Sequence, residues 1–220
     1  MLNRWFLGVL SLFTCLFATS ALADPTAGFT QVSWTPDIQS PYNLPHTARY
    51  TNVGGTGGLW HLWVFNTDQP FSQGNTTKPR TELRFNPDYT SGSHQFEADY
   101  LVPTGTNSVA IFQIHTGDAE SDQYGSTTFM TFVEGNELCD YSGTTIANNI
   151  LNNWFHLNVI HNLNNHTIQC YFNNKLSWTQ KDNGANDFYF KCGVYMQEDG
   201  RGTGSHEMQD YIKNITLWQK

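Results

Sequence analysis

Phe188-Tyr189-Phe190-Lys191-Cys192-Gly193-Val194-Tyr195-Met196-Gln197, near the C-terminus, decides the reading of the fold. The run is aromatic and β-branched, and Gly200, Gly202 and Gly204 follow it, so it reads as a strand entering a turn. Successive side chains of a strand point to opposite faces. Tyr189, Lys191, Tyr195 and Gln197 therefore share one face, and Phe190, Cys192, Val194 and Met196 share the other. One face is phenol, ammonium and amide; the other belongs to a core.

Two earlier segments divide in the same way. In Arg80-Thr81-Glu82-Leu83-Arg84-Phe85, the charged Arg80, Glu82 and Arg84 oppose Leu83 and Phe85. In Ile111-Phe112-Gln113-Ile114-His115, Gln113 and His115 oppose Phe112 and Ile114, while Ile111 falls by parity on the polar side. Three such faces in one sheet would make a cationic groove with a titratable centre.

The rest of the chain is strand and turn. Leu59–Phe65, His94–Val102, Ser108–His115, Thr127–Val133 and Glu137–Tyr141 read as strands, the last two as a hairpin around Gly135-Asn136. Trp154–Ile160 pairs with Thr167–Phe172, Asn173-Asn174 turns the chain into Lys175–Thr179, and Tyr211–Trp218 closes it. Residues 24–60, rich in proline and then glycine, read as loop and short edge strand. Only residues 144–153 look helical. Many short strands with almost no helical periodicity predict an all-β fold, a two-sheet antiparallel β-jelly roll with a concave substrate groove.

Residues 1–23 read as a secretory signal: Arg4 supplies the positive region, Trp5–Phe17 are mostly apolar, and Ala21-Leu22-Ala23 is a cleavage site. Residues 24–220 then form a single domain, expected to be secreted or periplasmic, monomeric and not membrane-embedded. The formal net charge of −8 argues against a nucleic-acid partner. It also requires that any site for an acidic polymer be locally basic, with Lys78, Arg80, Arg84 and Lys191 as candidates. Cys139, Cys170 and Cys192 remain after the signal, an odd number; Cys139–Cys170 is the expected disulfide, because Cys192 faces the core. The histidines outside the groove show no metal-ligand spacing, and no cofactor is expected.

Arg-Thr-Glu-Leu-Arg at 80–84, Gln-Ile-His at 113–115 and Tyr-Phe-Lys-Cys-Gly-Val-Tyr-Met-Gln at 189–197 resemble, in order, the three signature blocks of polysaccharide lyase family 7, the alginate lyases. The resemblance implies a jelly roll that cleaves a 1,4-linked uronate polymer by β-elimination. Such a reaction removes the C5 proton and expels the oxygen at C4, so the neighbouring carboxylate must be neutralised. Arginine and glutamine donate to carboxylate oxygens, and histidine and tyrosine suit the proton transfers. By resemblance, Arg80 and Gln113 neutralise the carboxylate, His115 is base or neutraliser, and Tyr195 is the acid and a candidate base. Arg84 would hold an adjacent uronate, and Lys191, about 13 Å along the strand from Tyr195, would serve a neighbouring subsite. Glu82 would position the arginines, and Tyr189 and Gln197 would support or contact substrate. Alginate is the expected polymer, with glucuronan as the rival.

Two other classes compete. A sandwich glycoside hydrolase needs paired carboxylates on one strand face, and Glu97-Ala98-Asp99 begins such a pattern, but Val102 holds its last acidic position. A non-catalytic carbohydrate-binding module would use Trp60, Trp63 and Trp178, yet gives no account of Gln113, His115 and Tyr195 together.

Overall fold

The structure, a computed structural model, describes residues 25–197 and 206–220. The expected signal and the glycine-rich turn at 200–204 lie outside these residues. Two antiparallel sheets face each other. With strands numbered in chain order, the first runs β13 (Lys175–Lys181), β12 (Thr167–Phe172), β11 (Trp154–Asn162), β6 (Ser93–Leu101), β15 (Glu207–Gln219), β4 (Leu59–Phe65) and β3 (Tyr50–Val53), and β1 (Thr30–Val32) also pairs with β15. The second runs β10 (Thr145–Asn148), β9 (Glu137–Asp140), β8 (Thr127–Glu134), β7 (Val109–Thr116), β14 (Phe188–Met196), β5 (Arg80–Asn86) and β2 (Thr35–Gln39). This is the expected all-β jelly roll.

Between the sheets the apolar faces close on one another. Phe112 of β7 and Phe190 of β14 meet Phe96 of β6 at centroid distances of 4.6 and 6.2 Å, and Leu83, Cys192 and Val194 are fully buried beside them. Each large apolar side chain removed from water contributes about 1.5–3 kcal/mol. That burial fixes the register, because a one-residue slip would turn the core faces of β5, β7 and β14 outward. The charged and polar faces of the same three strands are thereby held on the outside of the second sheet.

Three expectations are corrected. Cys139, Cys170 and Cys192 are all free and buried; Cys139 lies on the second sheet and Cys170 on the first, and no disulfide joins them. Residues 144–153 are not helical, because Ile146, Ala147 and Ile150 are buried against the core while Asn149 and Asn152 turn the backbone to φ of 59°. Among the described residues the one helical turn, α1 (Ser121–Tyr124), comes earlier and buries nothing. Ile111 is in the core, not on the polar face: β7 bulges against β8 between Ala110 and Phe112, so Ile111 and Phe112 both point inward.

Candidate active site

Strands β5, β14 and β7 lie side by side and bring the three sequence blocks into register. Arg80 faces Tyr195, Arg84 faces Lys191, Lys191 faces Gln113 and Tyr189 faces His115. Their outer face floors a cleft of 460 Å³, walled by Phe71, Asn75, Asp118 and Thr127 among others. Gly193 makes the close packing of β5 on β14 feasible. It sits at φ +121° where β14 bulges against β7, and a Cβ there would collide with the Thr81 carbonyl and lie 3.0 Å from the Glu82 Cα.

The centre of the floor is a buried carboxylate. Glu82, 1% exposed, accepts from the Lys191 ammonium at 2.5 Å, from the Gln113 amide at 2.5 Å and from Arg80 at 3.4 Å. Burial alone would raise its pKa, but the charges of Lys191 and Arg80 and the hydrogen bonds from Lys191 and Gln113 outweigh burial and hold it below the ordinary carboxylate range. Lys191 is equally buried, and desolvation pulls it down to about 8 although Glu82 opposes the fall. Lys191 is therefore part of the support under the floor, with its ammonium committed to Glu82, rather than a free cation at a neighbouring subsite.

Glu82 also sets the orientation of Gln113. The amide nitrogen donates to Glu82 and the amide oxygen accepts from Thr127 Oγ1 at 3.2 Å, which leaves one N–H for a ligand. Arg80 lies between aromatic rings, its guanidinium carbon 3.8 Å from the Tyr195 centroid and 5.0 Å from that of Phe71. It is 5% exposed and its Nε is buried without a partner. A buried guanidinium N–H left unsatisfied is costly.

His115 is fixed by its own strand end. Its Nδ1 donates to the Thr116 carbonyl at 2.6 Å, since a carbonyl can only accept, so Nε2 is the bare nitrogen of the neutral ring. Desolvation first, and the Lys191 charge second, lower its pKa to about 4. Its ring stacks on Tyr189 at 4.8 Å. Tyr189 is buried and also carries the Arg84 guanidinium over its ring at 3.9 Å, so it lies between His115 and Arg84. Arg84 itself is engaged: Nη2 donates to both Asp88 oxygens at 2.6 and 2.7 Å, and Nη1 to the Asn86 side chain. Tyr195 is half-buried, and no described residue hydrogen-bonds its hydroxyl.

Arg80, Gln113, His115 and Tyr195 are thus brought together as expected, with Arg84, Lys191 and Tyr189 on the same floor. Gln197 is not: it lies past the end of β14, its amide donating to the Tyr195 and Met196 carbonyls, and it does not line the cleft. Lys78 does not line it either. Phe71, Asp88, Asp118 and Thr127 escaped the sequence reading because they sit in loops or on a strand with no motif of their own. The residues of the competing readings lie away from this cleft. Glu97 and Asp99 are on β6 of the other sheet, within reach of His156, and Trp60 is buried at 5% exposure. A larger cleft of 760 Å³, lined by Tyr89, His94, Trp218 and Lys220 among others, contains none of the four expected catalytic side chains. Among the described residues, no group of three or more His, Cys, Asp or Glu side chains could hold a metal ion.

The alginate lyase family model matches residues 22–219. The chain belongs to the alginate lyase family. Polysaccharide lyase, the enzyme class expected from the three blocks, is the class of that family. A curated relative, the citrate-binding protein of Hevea brasiliensis, is 37% identical over 201 residues, covering 90% of this chain and 80% of that protein. Among solved structures, an alginate lyase from Pseudomonas aeruginosa superposes with a TM-score of 0.65 at 13% identity, covering 84% of this chain and 98% of the other. A marine family 7 alginate lyase from Zobellia galactanivorans gives 0.60 at 16% identity over 87% and 95% of the two chains. At such identities the structural matches establish the shared jelly roll, and the family membership rests on the sequence match.

Proposed function

We propose that this member of the alginate lyase family cleaves a 1,4-linked, uronate-containing polysaccharide by β-elimination, and that residues 1–23 direct it to the secretory route. The observation that carries the reading is the neutral His115, with Nε2 bare, on the same floor as a buried arginine that lacks an acceptor. Arg80 and the free N–H of Gln113 take the uronate carboxylate and make the C5 proton more acidic. His115 Nε2 accepts that proton, the C5 electron pair forms the C4–C5 double bond, and the C4–O bond breaks. The Tyr195 hydroxyl gives its proton to the departing oxygen. Donors aimed at developing charge contribute about 3–4 kcal/mol each, and each positioned proton transfer about 10²–10⁴-fold.

Carboxylate binding without cleavage is a second reading, favoured by the 37% identity to a protein named for binding citrate. One experiment separates the two. Purified protein and Tyr195→Phe are incubated with polymannuronate, polyguluronate, mixed alginate and glucuronan, and ultraviolet absorbance follows the unsaturated uronate; citrate binding is measured by calorimetry alongside. Absorbance that rises with the wild type and is lost in the variant supports elimination. Citrate binding through Arg80, with no absorbance change on any uronate polymer, would replace the lyase by a carboxylate-binding protein.

A further inference from the structure

The charges of the cleft are unevenly spent. Among the described residues it is lined by three cations, Arg80, Arg84 and Lys191, and by two acids, Asp37 and Asp118. Two of the cations are already paired, Lys191 with Glu82 at 2.5 Å and Arg84 with Asp88 at 2.6 Å. Arg84 has committed Nη2 to both Asp88 oxygens and Nη1 to Asn86, so its terminal nitrogens are turned to protein acceptors and its flat face to Tyr189. Asp37 lies opposite Arg84 on β2, and Asp118 lines the cleft near His115 and Tyr189, close enough for its charge to act on both rings. The Arg84 end of the cleft thus carries two lining carboxylates, Asp37 and Asp118, beside a guanidinium whose charge is already met by Asp88 outside the lining.

Only Arg80 keeps the donor pair that forms a parallel fork with a carboxylate. Its Nε is buried without a partner, Nη2 bonds no described residue, and its one ion-pair contact, through Nη1, is the long 3.4 Å approach to Glu82.

Building on the lyase reading, we propose that the cleft accepts one uronate at a time. Its substrate is a heteroglycan in which each uronate is flanked by neutral sugars, rather than an unbroken polyuronate. A continuous polyuronate places a carboxylate on every ring, and the ring beyond the one held by Arg80 would enter the acidic end. Like charges brought together at a binding surface select against that partner. A neutral sugar meets no such penalty, and the side-chain amides of Gln39 and Asn75 and the hydroxyl of Ser126, which line the cleft, suit its hydroxyls.

The test uses catalytically silent Tyr195→Phe and two tetrasaccharides in a titration calorimeter, one with a uronate on every ring and one with a single 1,4-linked glucuronate between neutral sugars. The single-uronate ligand is expected to bind about tenfold more tightly. Adding Asp37→Asn and Asp118→Asn should strengthen binding of the all-uronate ligand about fivefold per charge removed, leaving the other ligand nearly unchanged. Equal or tighter binding of the all-uronate ligand, or a ratio unmoved by the two substitutions, would overturn the proposal. Wild-type turnover is read separately. Absence of unsaturated product from every polymer, with the binding preference intact, would refute the lyase reading and leave the single-uronate cleft standing. Product formed fastest from homopolymeric polyuronate would do the reverse.

Discussion

Replacing Glu82 by glutamine removes the charge at the centre of the floor while keeping its shape. The carboxylate is 1% exposed and bonds three groups, and its strongest partner, the Lys191 ammonium, is itself 1% exposed. Breaking a buried ion pair from one side leaves the other charge stranded, at a cost of about 3–5 kcal/mol. Glu82→Gln is therefore expected to lose about that much stability in urea at pH 7. Lys191→Met should lose a comparable amount, because it strands Glu82 in turn. The double variant Glu82→Gln/Lys191→Met strands neither charge and should recover most of the loss, since replacing both partners of a buried pair is often close to neutral.

The pH dependence provides an independent check with a defined sign. The folded pKa of Lys191, about 8, is below its ordinary value of 10.5, so between these the unfolded chain holds more protons and stability rises with pH. Glu82 opposes that fall, so without it the lysine titrates lower still and the deficit of Glu82→Gln should shrink between pH 7 and pH 10. Turnover should also fall, because Gln113 loses the acceptor that orients it. Additive losses in the double variant, or a deficit under about 1 kcal/mol in Glu82→Gln, would show that the pair is not the buried unit described here.

Three further outcomes are expected. Gly193→Ala places a Cβ at φ +121° against the Thr81 carbonyl, and it should lower the melting temperature by the equivalent of about 1–3 kcal/mol, read by calorimetry. The kcat/KM profile should carry an acid limb near pH 4 rather than 6.5, because His115 is held neutral, and His115→Asn should lower kcat by about 10²–10⁴-fold without altering the circular dichroism. Three thiols should react with a chromogenic disulfide only after denaturation of the signal-free protein, with no shift of the melting temperature on adding reductant; burial pushes Cys170 up to about 12.

What the sequence conceals follows from what side-chain alternation can and cannot encode. Tyr189, Lys191 and Tyr195 share a face because they are two and four residues apart on one strand, and that needed no knowledge of neighbours. Ile111 breaks the pattern because a bulge adds a residue to β7 relative to β8, and a bulge is a property of a strand pair. Lys191 reads as a surface cation in one dimension. Only the register of β14 with β5, tightened at Gly193, shows that a glutamate on the adjacent strand has taken its charge. Arg84 is misread for a related reason: Asp88 and Asn86, which occupy it, lie past the end of the motif, where nothing marks them as its partners. The four groups proposed for elimination were legible because alternation places them on the floor. The charge balance of the cleft was not, because it depends on which cations are already paired.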